Sequence, residues 1–259
     1  MNYYIVLAIF LFAYMNLWFI LSLLKKRNDI ADVAWGLGFV LMAWVSFFLS
    51  PETNWRSILV SSLVTIWGIR LAWHIYTRNK NKKEDLRYKK WRRSWGKLFY
   101  IRSYLQVFIL QGLFLFLIVF PVLFTNQKTN QAFTILDLLG VVVWLTGFFF
   151  EVIGDLQLSR FIKDPKNKGR IMDRGLWRYS RHPNYFGEVT LWWGVFLIAT
   201  SVPGGWLTFF GPITITVLIV FVSGIPLLEK QFADRQDFRE YKKKTSIFFP
   251  LPPKRVKIK

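Results

Sequence analysis

An all-α polytopic membrane protein, a seven-helix bundle with its N-terminus outside and its C-terminus in the cytoplasm, is the fold this sequence predicts. Three observations predict it. Hydrophobic residues make up 53% of the chain and aromatic residues 19%, and they fall in blocks of about twenty residues, the length that a bilayer core requires of a helix. Turn-forming residues punctuate the joints between blocks. Lysine and arginine gather in alternate connections, as they do when basic loops stay on the cytoplasmic side.

The first block, 3–24, has no basic residue before it and no small-residue cleavage site, so it reads as a retained span rather than a secretion signal. The second, 31–50, closes at Pro51 and Asn54, and the third covers 56–77. A fourth over 103–125 ends in the polar string "TNQKTNQ", and a fifth covers 133–156. The last two, 185–201 and 205–229, are separated by "SVPGG". Three basic residues lie in 25–30, eleven in 78–102, eight in 157–184 and ten in 230–259, against only Arg56 and Lys128 on the other side. That asymmetry sets the orientation and makes this an integral membrane protein, expected in a bacterial inner membrane. The connection near residue 130 is short, so the chain is expected to form one domain, 1–259, rather than a four-helix front and a three-helix back.

A net charge of +20 would suggest nucleic acid in a soluble protein. Here the charge flanks apolar spans, where it serves topology and contact with anionic membrane lipids; the tail "PPKRVKIK" is expected on such a surface. No nucleic-acid partner is expected. The sequence has no cysteine, which removes disulfides, thiolate nucleophiles and thiolate metal sites. Two histidines, His74 and His182, do not make a metal site. The sequence contains no GxGxxG, phosphate-binding P-loop, HExxH or GxSxG string.

Ionisable residues inside spans are costly and tend to mark sites. Arg70 and His74 stand four apart near one end of the third span, and Glu151 and Asp155 repeat that spacing in the fifth. Asp32 opens the second span, Glu188 the sixth, and Glu229 closes the seventh. The predicted topology puts all of them at the cytoplasmic face, although Asp32 alone would also suit a helix N-terminus, and Glu151 and Asp155 would suit pairing with loop arginines. The loop "SRFIKDPKNKGRIMDRGLWRYSRHPNYFGE" adds Arg170, Arg174 and Arg181, the aromatics Tyr179 and Tyr185, and Asn184. Arginine forks suit phosphates, glycines admit close backbone approach, and aromatic faces stack on heterocycles. A nucleotide site fits this mixture; an ordinary positive-inside loop would explain only the charge. The earlier basic loop carries "EDLRY", a candidate to close over the same cavity.

These strings carry a resemblance. "GRIMDRGLWRYSRHPNYFGEVTLWWG", with "EVIGDLQLSRF" before it and "GIPLLEKQF" and "FREYKKKTSIFFP" after it, resembles the C-terminal domain of the steroid 5-alpha-reductase family. "DVAWGLGF" and "EDLRY" look like the DUF1295 branch of that superfamily, over about residues 28–252. The resemblance implies seven membrane helices, NADPH, and hydride transfer to a carbon–carbon double bond conjugated to a carbonyl in a lipophilic, sterol-like or polyprenyl substrate. It assigns cofactor binding to Asp155, Arg170, Tyr179, Asn184 and Glu188. Glu151 stands where the steroid enzymes commonly have asparagine, and Lys230 where they carry histidine. Arg174, Arg181, His182, Tyr185 and Glu229 complete the expected cofactor set. The Gln-Glu pair by which steroid reductases hold their substrate is absent, which leaves Asp32, Arg70, His74 and Tyr88 as the candidate catalytic residues. The RHPNY string also resembles part of the S-adenosylmethionine site of membrane methyltransferases, which carry two adjacent glutamates where this chain has Glu229-Lys230. A methyltransferase and a non-catalytic lipid-binding protein are therefore the alternatives.

Overall fold

The structure is a computed structural model that describes residues 2–254 apart from Asn81, Lys83, Asp85, Asn130 and Gln131, with backbone alone for Leu86 and Arg87. Residues 255–259 of the basic tail, Asp85, and the side chain of Arg87 in "EDLRY" lie outside the described residues. The described residues are helical, with one isolated bridge between Ser180 and Ser246. Six helical stretches are long and apolar enough to cross a membrane: Tyr3–Lys25, Ile30–Phe48, Trp55–Asn79, Tyr88–Asn126, Ile135–Lys163 and Gly205–Phe232. The expected sixth span is the helix Pro183–Ala199, 17 residues long.

Two compact units divide the chain at Phe133–Thr134: residues 1–133 with 202–211, and residues 134–201 with 212–259. The first holds α1 (Tyr3–Lys25), α2 (Ile30–Phe48) and α3 (Trp55–Asn79), of which α1 and α3 begin at side-chain caps. Asn2 accepts from the Tyr4 amide and Asn54 from the Ser57 amide, both at 2.9 Å, satisfying donors that a helix start leaves free. Gly36 of α2 faces Gly68 of α3 so closely that a Cβ on either would lie 2.7 Å from the other's carbonyl oxygen. Small residues at this crossing let backbone meet backbone where lipid supplies no hydrophobic drive between helices.

The stretch read as a loop, 78–102, is partly helical: α4 spans Leu86–Trp95. The segment Leu86–Trp95 contains no glycine or proline, its basic residues are sound helix formers, and Trp91 stacks on Trp95 one turn later, with ring centroids 5.2 Å apart. The run continues through α5 (Phe99–Arg102) and a π-helical segment, Ser103–Ile109, into α6 (Leu110–Asn126).

Arg56, expected in a sparse loop, is fully buried in the first turn of α3. It lies over the Trp55 ring at 4.7 Å and donates to the Ala132 carbonyl. A guanidinium keeps its charge at any physiological pH, so burial here rests on carbonyl acceptors and an aromatic face.

In the second unit, α7 (Ile135–Lys163) starts with a reciprocal cap between Thr134 and Asp137 and forms the most extensively packed helix pair with α8 (Pro183–Ala199). Glycines spaced by seven, Gly140, Gly147 and Gly154 on α7 and Gly187 and Gly194 on α8, form the seam. A Cβ on Gly187 would stand 2.4 Å from the Glu151 nitrogen, and one on Gly147 the same distance from the Leu191 nitrogen. The α8 register is thereby fixed by backbone sterics. The chain then passes through α9 (Phe210–Val217), a π-helical turn at Leu218–Val222, α10 (Ile225–Phe232) and α11 (Gln236–Lys244).

Candidate active site

The α7–α8 seam places the acids and amide of the second unit. Gly187 abuts the Glu151 nitrogen, and Glu188 is the next residue of α8. One turn further, Gly154 meets the Asn184 backbone, and the Asn184 Nδ2 donates to Asp155 Oδ1 at 3.0 Å. Glu151 is 2% exposed and Asp155 8%. The other amide atom, Asn184 Oδ1, is buried and accepts no hydrogen bond among the described residues. An unpaired acceptor of this kind costs about 1–3 kcal/mol, and it sits next to a carboxylate.

The segment before α8 is laced to the C-terminal stretch one residue after another. Thr245 Oγ1 donates to the Arg178 carbonyl, the Leu251 amide to the Tyr179 carbonyl at 3.0 Å, Ser180 Oγ to the Phe248 carbonyl at 2.7 Å, and the Arg181 amide to the Ser246 carbonyl at 2.8 Å. Trp177 anchors its other side through an indole bond of 3.0 Å to the Gly154 carbonyl, while its own carbonyl accepts from the Tyr241 phenol. Burial pushes the Tyr241 phenol well above its ordinary range.

Arg181, His182 and Glu229 form one ionic cluster. Arg181 Nε and His182 Nε2 meet Glu229 Oε1 at 2.7 and 3.3 Å, and Lys242 reaches Oε2 at 3.1 Å. Arg181 also donates to the Thr245 carbonyl at 2.7 Å. Tyr185 stacks on His182 with ring centroids 5.7 Å apart. Lys230, the neighbour of Glu229, is exposed on α10 and takes no part in this cluster. Tyr179, Arg170 and Arg174 are also exposed; the two arginines line a separate cleft.

In the first unit the structure joins Tyr88 and Asp32, both candidate catalytic residues. Tyr88, 4% exposed, donates to Asp32 at 2.8 Å. Four residues earlier, Glu84 accepts from the Asn28 amide at 2.9 Å and from Arg92 at 3.0 Å, so both described ends of "EDLRY" are tied to the start of α2. Arg27 forks onto Asp29 at 2.7 and 3.0 Å beside them. Arg70 and His74 are half-buried one turn apart on α3.

Sequence reasoning missed the glycine seam, although its spacing of seven was visible in 140, 147, 154 and 187, 194. It also missed the role of residues 245–251, whose lacing is made by backbone groups and has no sequence signature.

The fold defines a helical membrane-type protein, and each of its two units carries a polar cluster of its own. The chain belongs to the DUF1295 family, described as a protein of unknown function, whose model matches residues 18–245. It is 27% identical over 221 residues to an uncharacterized protein of Schizosaccharomyces pombe, covering 75% of this chain and 63% of that protein. It is 32% identical over 115 residues to the 3-oxo-5-alpha-steroid 4-dehydrogenase 1 of Homo sapiens, covering 44% of this chain and 41% of that enzyme. The Macaca fascicularis enzyme of the same name matches at 32% over 115 residues, with 44% and 40% covered. The chain thus spans less than two thirds of the length of each of these relatives. No solved structure matches.

Proposed function

We propose that this protein is an NADPH-dependent reductase of a carbon–carbon double bond conjugated to a carbonyl in a lipophilic, sterol-like or polyprenyl substrate. The observation that carries the reading is the Asp155–Asn184 pair with its unpaired buried acceptor. A ribose hydroxyl or a carboxamide N–H2 group would satisfy Asn184 Oδ1, and the neighbouring carboxylates accept from the same kinds of donor, so the residues fit the cofactor that the family resemblance implies. Asp155, Glu151, Asn184 and Glu188 would hold those neutral groups, with Arg170, Arg174 and Tyr179 for the phosphates and heterocycle. When bound, NADPH supplies a hydride.

The rest of the chemistry belongs to this chain's own groups. Tyr88 would give its phenol proton to the substrate carbonyl oxygen, the enol so formed would return to the ketone, and the phenolate would regain a proton from solvent; Asp32, which accepts from the phenol at 2.8 Å, positions it. Arg70 and His74 supply further polarising groups. The ionic cluster at Glu229 has another task. Its members satisfy one another, which suits a clamp on the Arg181–His182 turn and weighs against a ligand site of the methyltransferase kind.

The same reading takes the protein as one membrane domain of seven spans, Pro183–Ala199 being the sixth, with a cytoplasmic C-terminus in a bacterial inner membrane. A C-terminal tag that reacts with an impermeant reagent in intact cells would overturn that orientation. The activity is tested by following NADPH oxidation by the purified protein on addition of a 3-oxo-4-ene steroid or a polyprenyl enone. Enone-dependent oxidation with a saturated ketone as product is expected. Consumption without a reduced product, or none with any enone, contradicts the reading.

A further inference from the structure

A cavity in the unit formed by residues 134–201 and 212–259 has a different chemistry from the Asp155 cluster. It is a cleft of about 710 Å³, within the range of small-molecule sites. One wall is the loop after α7, with Arg170, Arg174 and Arg178; the other is the C-terminal segment, with Lys244 and Lys254. The Lys254 amide donates to the Lys244 carbonyl at 2.8 Å, which holds the two lysines together. Three acids share the cleft, Asp173, Asp237 and Glu240. Asp237 is already taken by Arg235, which also donates to the Gly169 carbonyl at the rim. The five basic side chains make no ion pair among the described residues, and all five are exposed. Five basic side chains against the two acids that Arg235 leaves free, Asp173 and Glu240, give the cleft an excess of positive charge that favours an anionic ligand, and three guanidinium forks favour a phosphate.

Trp177 and Tyr241 stand between the two sites. The Trp177 indole donates to the Gly154 carbonyl beside Asp155, while Tyr241, whose phenol donates to the Trp177 carbonyl, forms part of the cleft wall. Acceptors for neutral donors thus lie on one side and cations on the other.

We propose that this cleft takes a phosphate monoester of a nucleotide, the 2′-phosphate that separates NADPH from NADH, and that the C-terminal segment makes the discrimination through Lys244 and Lys254. The inference rests on the cofactor reading above. It makes the end of the chain a determinant of cofactor choice rather than a solvated tail.

The test is calorimetric titration of adenosine 2′,5′-bisphosphate and of adenosine 5′-phosphate into the protein in phosphatidylcholine nanodiscs. The bisphosphate should bind about tenfold tighter or more, with a gap that narrows as salt is added. In the variant carrying Arg174→Ala, Lys244→Ala and Lys254→Ala, all at exposed positions, the gap should close while helicity is unchanged. Equal affinities in the parent protein, or an undiminished gap in the variant, overturn the proposal. Phosphatidylglycerol nanodiscs distinguish the other source of phosphate: bisphosphate affinity should hold there, and its loss would assign the cleft to a lipid headgroup and overturn the nucleotide assignment. Asp155→Ala separates the two readings. It should weaken NADPH and leave the bisphosphate untouched; if NADPH binding is indifferent to it while the bisphosphate gap persists, the reductase reading falls and the cleft assignment stands.

Discussion

The two polar clusters are built in different ways. Around Asp155 and Asn184, side-chain positions follow from backbone contact: the α7–α8 glycines leave no room for another register, and residues 245–251 bind the preceding turn through carbonyls and amides. Around Asp32 and Tyr88, the contacts run through side chains, a phenol on a carboxylate 56 residues away and Glu84 on the backbone amide of Asn28. The first arrangement is rigid and tolerates little change. The second depends on the chemistry of particular side chains.

Substitutions at glycines test this contrast most strongly. A methyl group at Gly187 meets only backbone atoms, the Glu151 nitrogen at 2.4 Å and the Gly147 oxygen at 2.5 Å. Gly187→Ala should therefore part α7 from α8 and cost about 3 kcal/mol or more, read as a large fall in melting temperature with loss of NADPH binding. At Gly38 the nearest atoms are the ends of side chains, Leu115 Cδ1 at 2.6 Å and Tyr14 Cε1 at 3.1 Å. Gly38→Ala should cost far less, and a greater loss there than at Gly187 would break the comparison.

The next effect concerns the clamp. Glu229→Gln leaves Arg181, 7% exposed, without its counter-charge, for a loss of about 3 kcal/mol in thermal unfolding. Restoration of full stability by the neutral amide would show that the charge is not needed.

Two ligand-level variants then separate the halves. Asp155→Ala should raise the NADPH dissociation constant about tenfold, an effect on the order of one charge-assisted hydrogen bond. Tyr88→Phe should lower turnover about a hundredfold, the scale of general acid catalysis, while leaving NADPH affinity unchanged. If both variants shift the same constant, the division of labour is wrong.

The smallest effect is alkaline. Burial raises the Tyr241 phenol, so the fold favours its neutral form. The associated stability is complete below the unfolded tyrosine value of about 10 and is lost as the pH rises toward the folded value. Tyr241→Phe should flatten that alkaline loss in a stability–pH profile, at a cost of about 1 kcal/mol at neutral pH from the missing bond to the Trp177 carbonyl.

Much of the fold was legible because hydropathy blocks and caps are local signals: the helix starts at Tyr3, Trp55 and Ile135 each fall within two residues of the expected bounds. Asn184 and Glu188 could be singled out as candidates for the same reason, since 178–188 is one short string. Helix α4 was hidden because charge density made its sequence look like a loop, although nothing in it breaks a helix. Arg56 was hidden because a buried arginine looks the same in sequence as a surface one. The Tyr88–Asp32 pair could be named only as two members of a larger set, since tertiary packing alone brings them together.

The central claim is that the Asp155–Asn184 site holds a nicotinamide dinucleotide, and thermal-shift measurement of the purified protein with NADPH and with S-adenosylmethionine tests it most directly. The account predicts a rise in melting temperature with NADPH that Asp155→Ala removes, and none with S-adenosylmethionine. Stabilisation by S-adenosylmethionine alone would contradict it.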